Sequence, residues 1–124
     1  DSRDWGKLQE EVFTEDVWFD MSSVGAGDPS GVPAKTICDM WAQGFSGIDS
    51  VHHQAGHYLI TVDEDHANIY AYSVATHYKK LARNGNTRTF TGSYELAAVR
   101  TASGWRLNSF KYNLKFLEGN IQLD

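Results

Sequence analysis

From Gly47 onward the chain consists of long runs of β-branched and aromatic residues separated by short polar turns, a pattern that leaves room for little besides an antiparallel sheet. Ser50 to Val62 and Asn68 to Lys80 are two such runs, and the acidic turn Asp63-Glu64-Asp65-His66 between them predicts a hairpin. Asn84-Gly85-Asn86 supplies residues that tolerate positive φ, so the strand ending near Lys80 is expected to pair with one over Thr87 to Thr101. Ser103-Gly104 then turns into a last strand, Trp105 to Leu117.

Before Gly47 the pattern is different. Trp5, Leu8, Val12 and Phe13 fall at helical spacing, weakened by Gly6. Asp16 to Ser23 alternates like a strand, with Val17, Phe19 and Met21 on one side and Trp18 and Asp20 on the other, and the glycine-rich stretch Val24 to Val32 reads as a mobile loop. Pro33 to Gly44 reads as a second helix with Ile37, Met40 and Trp41 as its buried stripe. Two helices followed by four long antiparallel strands predict an α+β fold with helices on one face of a curved sheet. At 124 residues there is room for one domain, 1–124.

The two faces of the second long strand differ. Ala71, Ser73, Ala75 and His77 share one face, while Tyr70, Tyr72, Val74, Thr76 and Tyr78 share the other. A row of small side chains ending in a histidine leaves volume for a cavity. The opposite face is bulky and uncharged, which predicts that a second copy of the chain covers it, as a homodimer or homotrimer.

A formal charge of -5, with the eleven Lys and Arg scattered, argues against nucleic acid or an anionic membrane as partner. The apolar stretches fall short of the roughly 20 residues that a bilayer span requires. Cys38 is the only cysteine, so no internal disulfide can form and a cytoplasmic setting is expected. It lies in an apolar pattern and reads as a buried thiol. No signal peptide is visible, and the missing initial Met points to a chain that has lost its natural start.

Five histidines raise the question of a metal. His53 and His57 are four apart, but on a strand that spacing spans roughly 13 Å, too far for two ligands of one ion. No cysteine cluster offers an alternative, so no metal is expected. His52 and His66 read as outer-face and turn residues. His53 and His77 lie among small or apolar neighbours, where a histidine is either a hydrogen-bonded core residue or, with a carboxylate fixing its tautomer, a proton carrier near neutral pH.

The order of Asp1-Ser2-Arg3-Asp4-Trp5, Leu8, His53, His77, Ser93, Gly104-Trp105 and Gly119-Asn120 resembles the scytalone dehydratase-like, SnoaL-like branch of the nuclear transport factor 2 superfamily. That resemblance covers nearly the whole chain. It implies a cone of helices and curved sheet around a deep pocket, in a dimer or trimer. It further implies that Asp1 orients His53, that His53 is base and then acid, that His77 is a second polar group of the pocket, and that Ser93 and Glu95 touch substrate. Departures are visible too: a family tyrosine falls at Met21, Glu95 stands where the family has an amide, and the segment before Asp1, normally a first helix, is expected to be missing.

These readings lead to a cofactor-independent lyase or isomerase that removes a proton α to a carbonyl of a small cyclic, partly apolar molecule. Trp18, Trp41, Phe19 and Phe110 are candidates for the apolar wall, and Lys111 and Lys115 for a basic group. The alternative is a noncatalytic ligand-binding or assembly module in which Asp1, His53 and His77 are a satisfied polar network. A small subunit of an aromatic-ring dioxygenase is a weaker option, since such subunits are longer and need a large partner.

Overall fold

The computed structural model describes residues 1–124. A helical turn, α1 (Trp5–Lys7), is capped by the Asp4 carboxylate, which accepts from the Lys7 amide at 3.0 Å, and continues as a wider π turn over Leu8–Val12. Strands β1 (Phe13–Asp20) and β2 (Ser30–Pro33) follow, then α2 (Ala34–Gly44) and four long strands: β3 (Ser50–Asp63), β4 (His66–Tyr78), β5 (Thr87–Thr101) and β6 (Gly104–Gly119). One six-stranded sheet results, in the order β2-β1-β6-β5-β4-β3. All its pairings are antiparallel except β1 with β6.

The four long strands lie where the sequence places them. Asp63 pairs with His66 across a two-residue turn, so His66 opens β4 rather than lying in the turn. Gly85 has φ 113°, the conformation its turn demands. The first third of the chain departs more. Phe13 begins β1 instead of ending a helix, and β1 stops at Asp20, leaving Met21 at the entry to a short 3₁₀ turn, Ser22–Val24. The expected loop contains β2, which zips onto β1 from Asp16↔Pro33 to Phe19↔Ser30. Met40 is exposed; the buried stripe of α2 is Ala34, Ile37 and Cys38, with Trp41 half-buried beside it. That set fits the i, i+3, i+4, i+7 rule more closely than the expected one.

The main core joins α2 to β1 through Phe13, Val17, Ala34, Ile37 and Cys38, and burial raises the Cys38 thiol above its ordinary pKa. A second cluster, Ile48, Val51 and Leu123, pins residues near the end of the chain to the start of β3. Bulges in β3 and between β5 and β6 bend the sheet, leaving its inner face concave toward α1 and α2. On the inner face of β4, Ala67, Ala71, Ser73, Ala75 and His77 are buried and Ile69 is half-buried, whereas Tyr72, Val74 and Tyr78 on the other side are exposed. No helix is long and apolar enough to cross a membrane.

Candidate active site

The concave side of the sheet holds a cavity of about 560 Å³. His53 and His77 both line it because they occupy inner-face positions two residues out of register on neighbouring strands: Val51 pairs with His77 and His53 with Ala75. Their ring centroids are 6.2 Å apart. Phe45, in the turn after α2, meets the ring of His77 edge-on at 5.3 Å and that of His53 at 6.3 Å, and stacks on Trp5 at 6.0 Å.

Asp1 reaches His53 because β3 is an edge strand, whose outward amides have no strand to pair with. The His53 amide donates to both Asp1 carboxylate oxygens, at 3.1 and 3.0 Å, while its Nδ1 lies 2.6 Å from Oδ1. Arg3, with φ 59°, holds the same segment down by donating Nη2 to the Ile48 carbonyl at 3.0 Å. Burial keeps His53 below the ordinary histidine pKa. A neutral ring bonded to a carboxylate through Nδ1 carries its proton there, so Nε2 presents a lone pair.

His77 receives a hydrogen bond from Arg88, whose Nε lies 3.0 Å from Nδ1. Burial first, then the Arg88 guanidinium, with smaller contributions from His53 and Arg3, lower its pKa to about 4.

The walls are aromatic: Trp41, Phe90, Tyr94, Phe110 and Tyr112, with Met21 at the rim. Trp41 and Phe110 meet edge-on at 5.3 Å. Tyr112 lies against Gly92, and a Cβ there would come within 2.6 Å of its hydroxyl. Burial raises the Tyr112 phenol to about 12.

Asp1, His53, His77, Met21 and Trp41 are thus brought together, as the sequence proposes. Ser93, Glu95 and Trp18 are not. Ser93 pairs with Tyr72 and Glu95 with Tyr70, which places both on the outer face, where Asn113 Nδ2 donates to Ser93 Oγ at 3.4 Å and to Glu95 Oε2 at 2.8 Å. Expecting them at the pocket takes the wrong parity for β5. Trp18 alternates with the buried Val17 and is 52% exposed, outside the cavity. Phe19 packs behind Trp41 and Phe110 without lining the cavity. Lys111 and Lys115 also face outward, the first 3.5 Å from Glu95 and the second 4.2 Å over the Tyr72 ring.

Sequence reasoning misses Arg3, Phe45, Phe90, Tyr94, Arg88 and Tyr112. Pairing β5 against the small-residue face of β4 finds three of these, because Tyr94, Phe90 and Arg88 lie opposite Ala71, Ala75 and His77.

The profile of the SnoaL-like domain family matches residues 1–111. Among solved structures, the Kfla4162 protein of Kribbella flavida superposes with a TM-score of 0.91 at 31% identity, covering 98% of this chain and 83% of that one. A candidate aromatic ring hydroxylase of Novosphingobium aromaticivorans gives 0.80 at 25% identity over 97% and 81% of the two chains. A candidate scytalone dehydratase of the same species gives 0.79 at 14% identity, over 95% and 75%, a likeness of fold alone. No curated protein matches the chain.

Proposed function

The chain belongs to the SnoaL-like domain family, and on that premise we propose that it is a cofactor-independent lyase acting on a small, partly apolar carbonyl compound. The observation that carries this reading is the Asp1–His53 pair, 2.6 Å apart and opening on an aromatic-walled cavity. A half-buried neutral imidazole anchored to a carboxylate through one nitrogen has the other free to accept a proton, and Asp1 stabilises the imidazolium that forms.

In the proposed step His53 Nε2 removes the proton α to the carbonyl. The C–H electron pair becomes the new C=C bond, the β C–O bond breaks, and the departing hydroxyl takes the proton back from His53 to leave as water. The step is redox-neutral and consumes no co-reactant. Trp41, Phe90 and Phe110 exclude bulk water and favour a flat substrate.

Ultraviolet absorbance during incubation with a panel of cyclic β-hydroxy ketones tests the reading. Turnover by the wild type is expected, with a loss of roughly 10² to 10⁴-fold in a folded His53→Ala variant. If no member of the panel reacts while apolar ligands still bind the folded wild type, the noncatalytic binding module takes the lead.

A further inference from the structure

His77 and Arg88 face each other directly across β4 and β5. The guanidinium is held on three sides. Nε donates to His77 Nδ1 at 3.0 Å, Nη1 donates to the Ile121 carbonyl at 2.9 Å, and its central carbon lies 5.5 Å from the centre of the Phe90 ring. Ile121 is itself fixed. Leu123 beside it is buried against Ile48 and Val51, and the Asn120 side chain donates to the Gly85 and Asp124 carbonyls, each at 3.0 Å.

A guanidinium has donors and no acceptor. Its partner nitrogen on His77 must therefore offer a lone pair, and a neutral imidazole with its lone pair at Nδ1 carries the proton at Nε2. We infer that Arg88 is a positioning residue that locks His77 as an Nε2–H donor facing the cavity, opposite in polarity to His53.

The groups facing His77 agree with a neutral ring. Arg88 on β5 and Arg3 before α1 are cationic, His53 on β3 is a second imidazole, and Phe45 and Phe90 supply only apolar contact. Protonation would place another positive charge among these groups in a buried site.

Two imidazoles whose centroids are 6.2 Å apart thus present a lone pair from one and an N–H from the other. Resting on the proposed lyase reading, this polarity orients the substrate. The carbon that loses its proton lies toward His53, and the carbonyl oxygen accepts from His77, where the guanidinium behind the ring favours the negative charge that develops on it. Substrates are accordingly carbonyl compounds whose acidic C–H is adjacent to the acceptor carbon, and a hydrocarbon isostere lacking the oxygen is rejected.

Nitrogen-15 NMR of the labelled wild type at neutral pH tests the lock without any substrate. His77 is expected to show an unprotonated Nδ1 and a protonated Nε2. Arg88→Met should convert this to a tautomer mixture, and Arg88→Lys, which keeps a donor on a flexible stem, should retain part of the bias. With turnover as a second readout, Arg88→Met is expected to lower kcat by roughly ten- to a hundredfold, within the cost of losing one oxyanion donor, with a smaller change in KM and partial recovery in Arg88→Lys. A protonated Nδ1 in the wild type overturns the proposal, as does an unchanged spectrum in folded Arg88→Met. Should Arg88→Met fail to fold, the wild-type and Arg88→Lys spectra decide. Because the NMR result needs no turnover, it stands or falls separately from the lyase reading.

Discussion

The two faces of β4 come from alternate residues of one segment, yet they meet different surroundings. Ala71, Ser73, Ala75 and His77 are all buried, whereas Tyr72, Val74 and Tyr78 are 39–45% exposed. The larger side chains are the wetter ones, the reverse of what burial of apolar area favours. On the inner side, small residues leave the volume that the cavity occupies, and aromatic rings from β5, β6 and α2 cover it. On the outer side Lys115 and His57 touch the Tyr72 ring, but no helix or second layer of the chain lies over this face. Residue size here follows what lies above the sheet: a cavity on one face, an exposed and largely uncharged surface on the other.

Three perturbations separate the roles of the two faces. The largest effect is expected from Gly92→Ala, on the inner face, where a new Cβ would lie 2.3 Å from the Asn113 carbonyl and 2.6 Å from the Tyr112 hydroxyl. The backbone cannot yield cheaply, so denaturant unfolding should show a loss of roughly 1–3 kcal/mol. Tyr112 should also be pushed into the cavity, weakening binding of flat ligands.

Acid should act next, and again through the inner face. His77 takes a proton near pH 4 when folded and near 6.5 when unfolded. Between those values only the unfolded chain binds the proton, so this contribution to stability is fully present above about pH 6.5 and declines as the pH falls through the window. Burial shifts His53 in the same direction. Denaturation midpoints measured at pH 7 and pH 5 should differ accordingly, and a folded His77→Asn variant should show a smaller difference.

The outer face should give the smallest change in the stability of the single chain. Replacing Tyr72 by Lys together with Val74 by Glu alters exposed positions, so the monomer is expected to lose no more than about 0.5 kcal/mol. Sedimentation velocity is the sensitive readout. Wild type should associate at micromolar concentration and the double variant should not; a wild type that sediments only as monomer would remove the second copy from the account.

Legibility in the sequence follows the strength of the local signal. The four long strands are readable because β-branched runs and turn residues act within a few positions, and the bounds expected for β5, Thr87 to Thr101, coincide with those observed. Asp1, His53 and His77 are readable as a group only through the family order, since no spacing rule links residues 52 and 24 positions apart. Helix α2 is placed correctly, but its stripe is not, because Met40 and Cys38 differ by half a turn and hydrophobicity alone does not choose between them. β2 is missed because four residues containing glycine and proline carry little strand preference, and pairing with β1 supplies what propensity lacks.

Local signals along the chain set where the long strands run, where they turn, and which side chains alternate along each. What faces what depends on how the strands assemble. A shift of one residue in the pairing of β5 moves Ser93 and Glu95 to the inner face and Phe90 and Tyr94 to the outer. The observed register, His77 opposite Arg88, selects the aromatic wall and gives His77 its partner in one stroke. Sheet register is set by burial over whole faces, a sum over many distant contacts, and for that reason the chemistry of the cavity appears only once the strands are assembled.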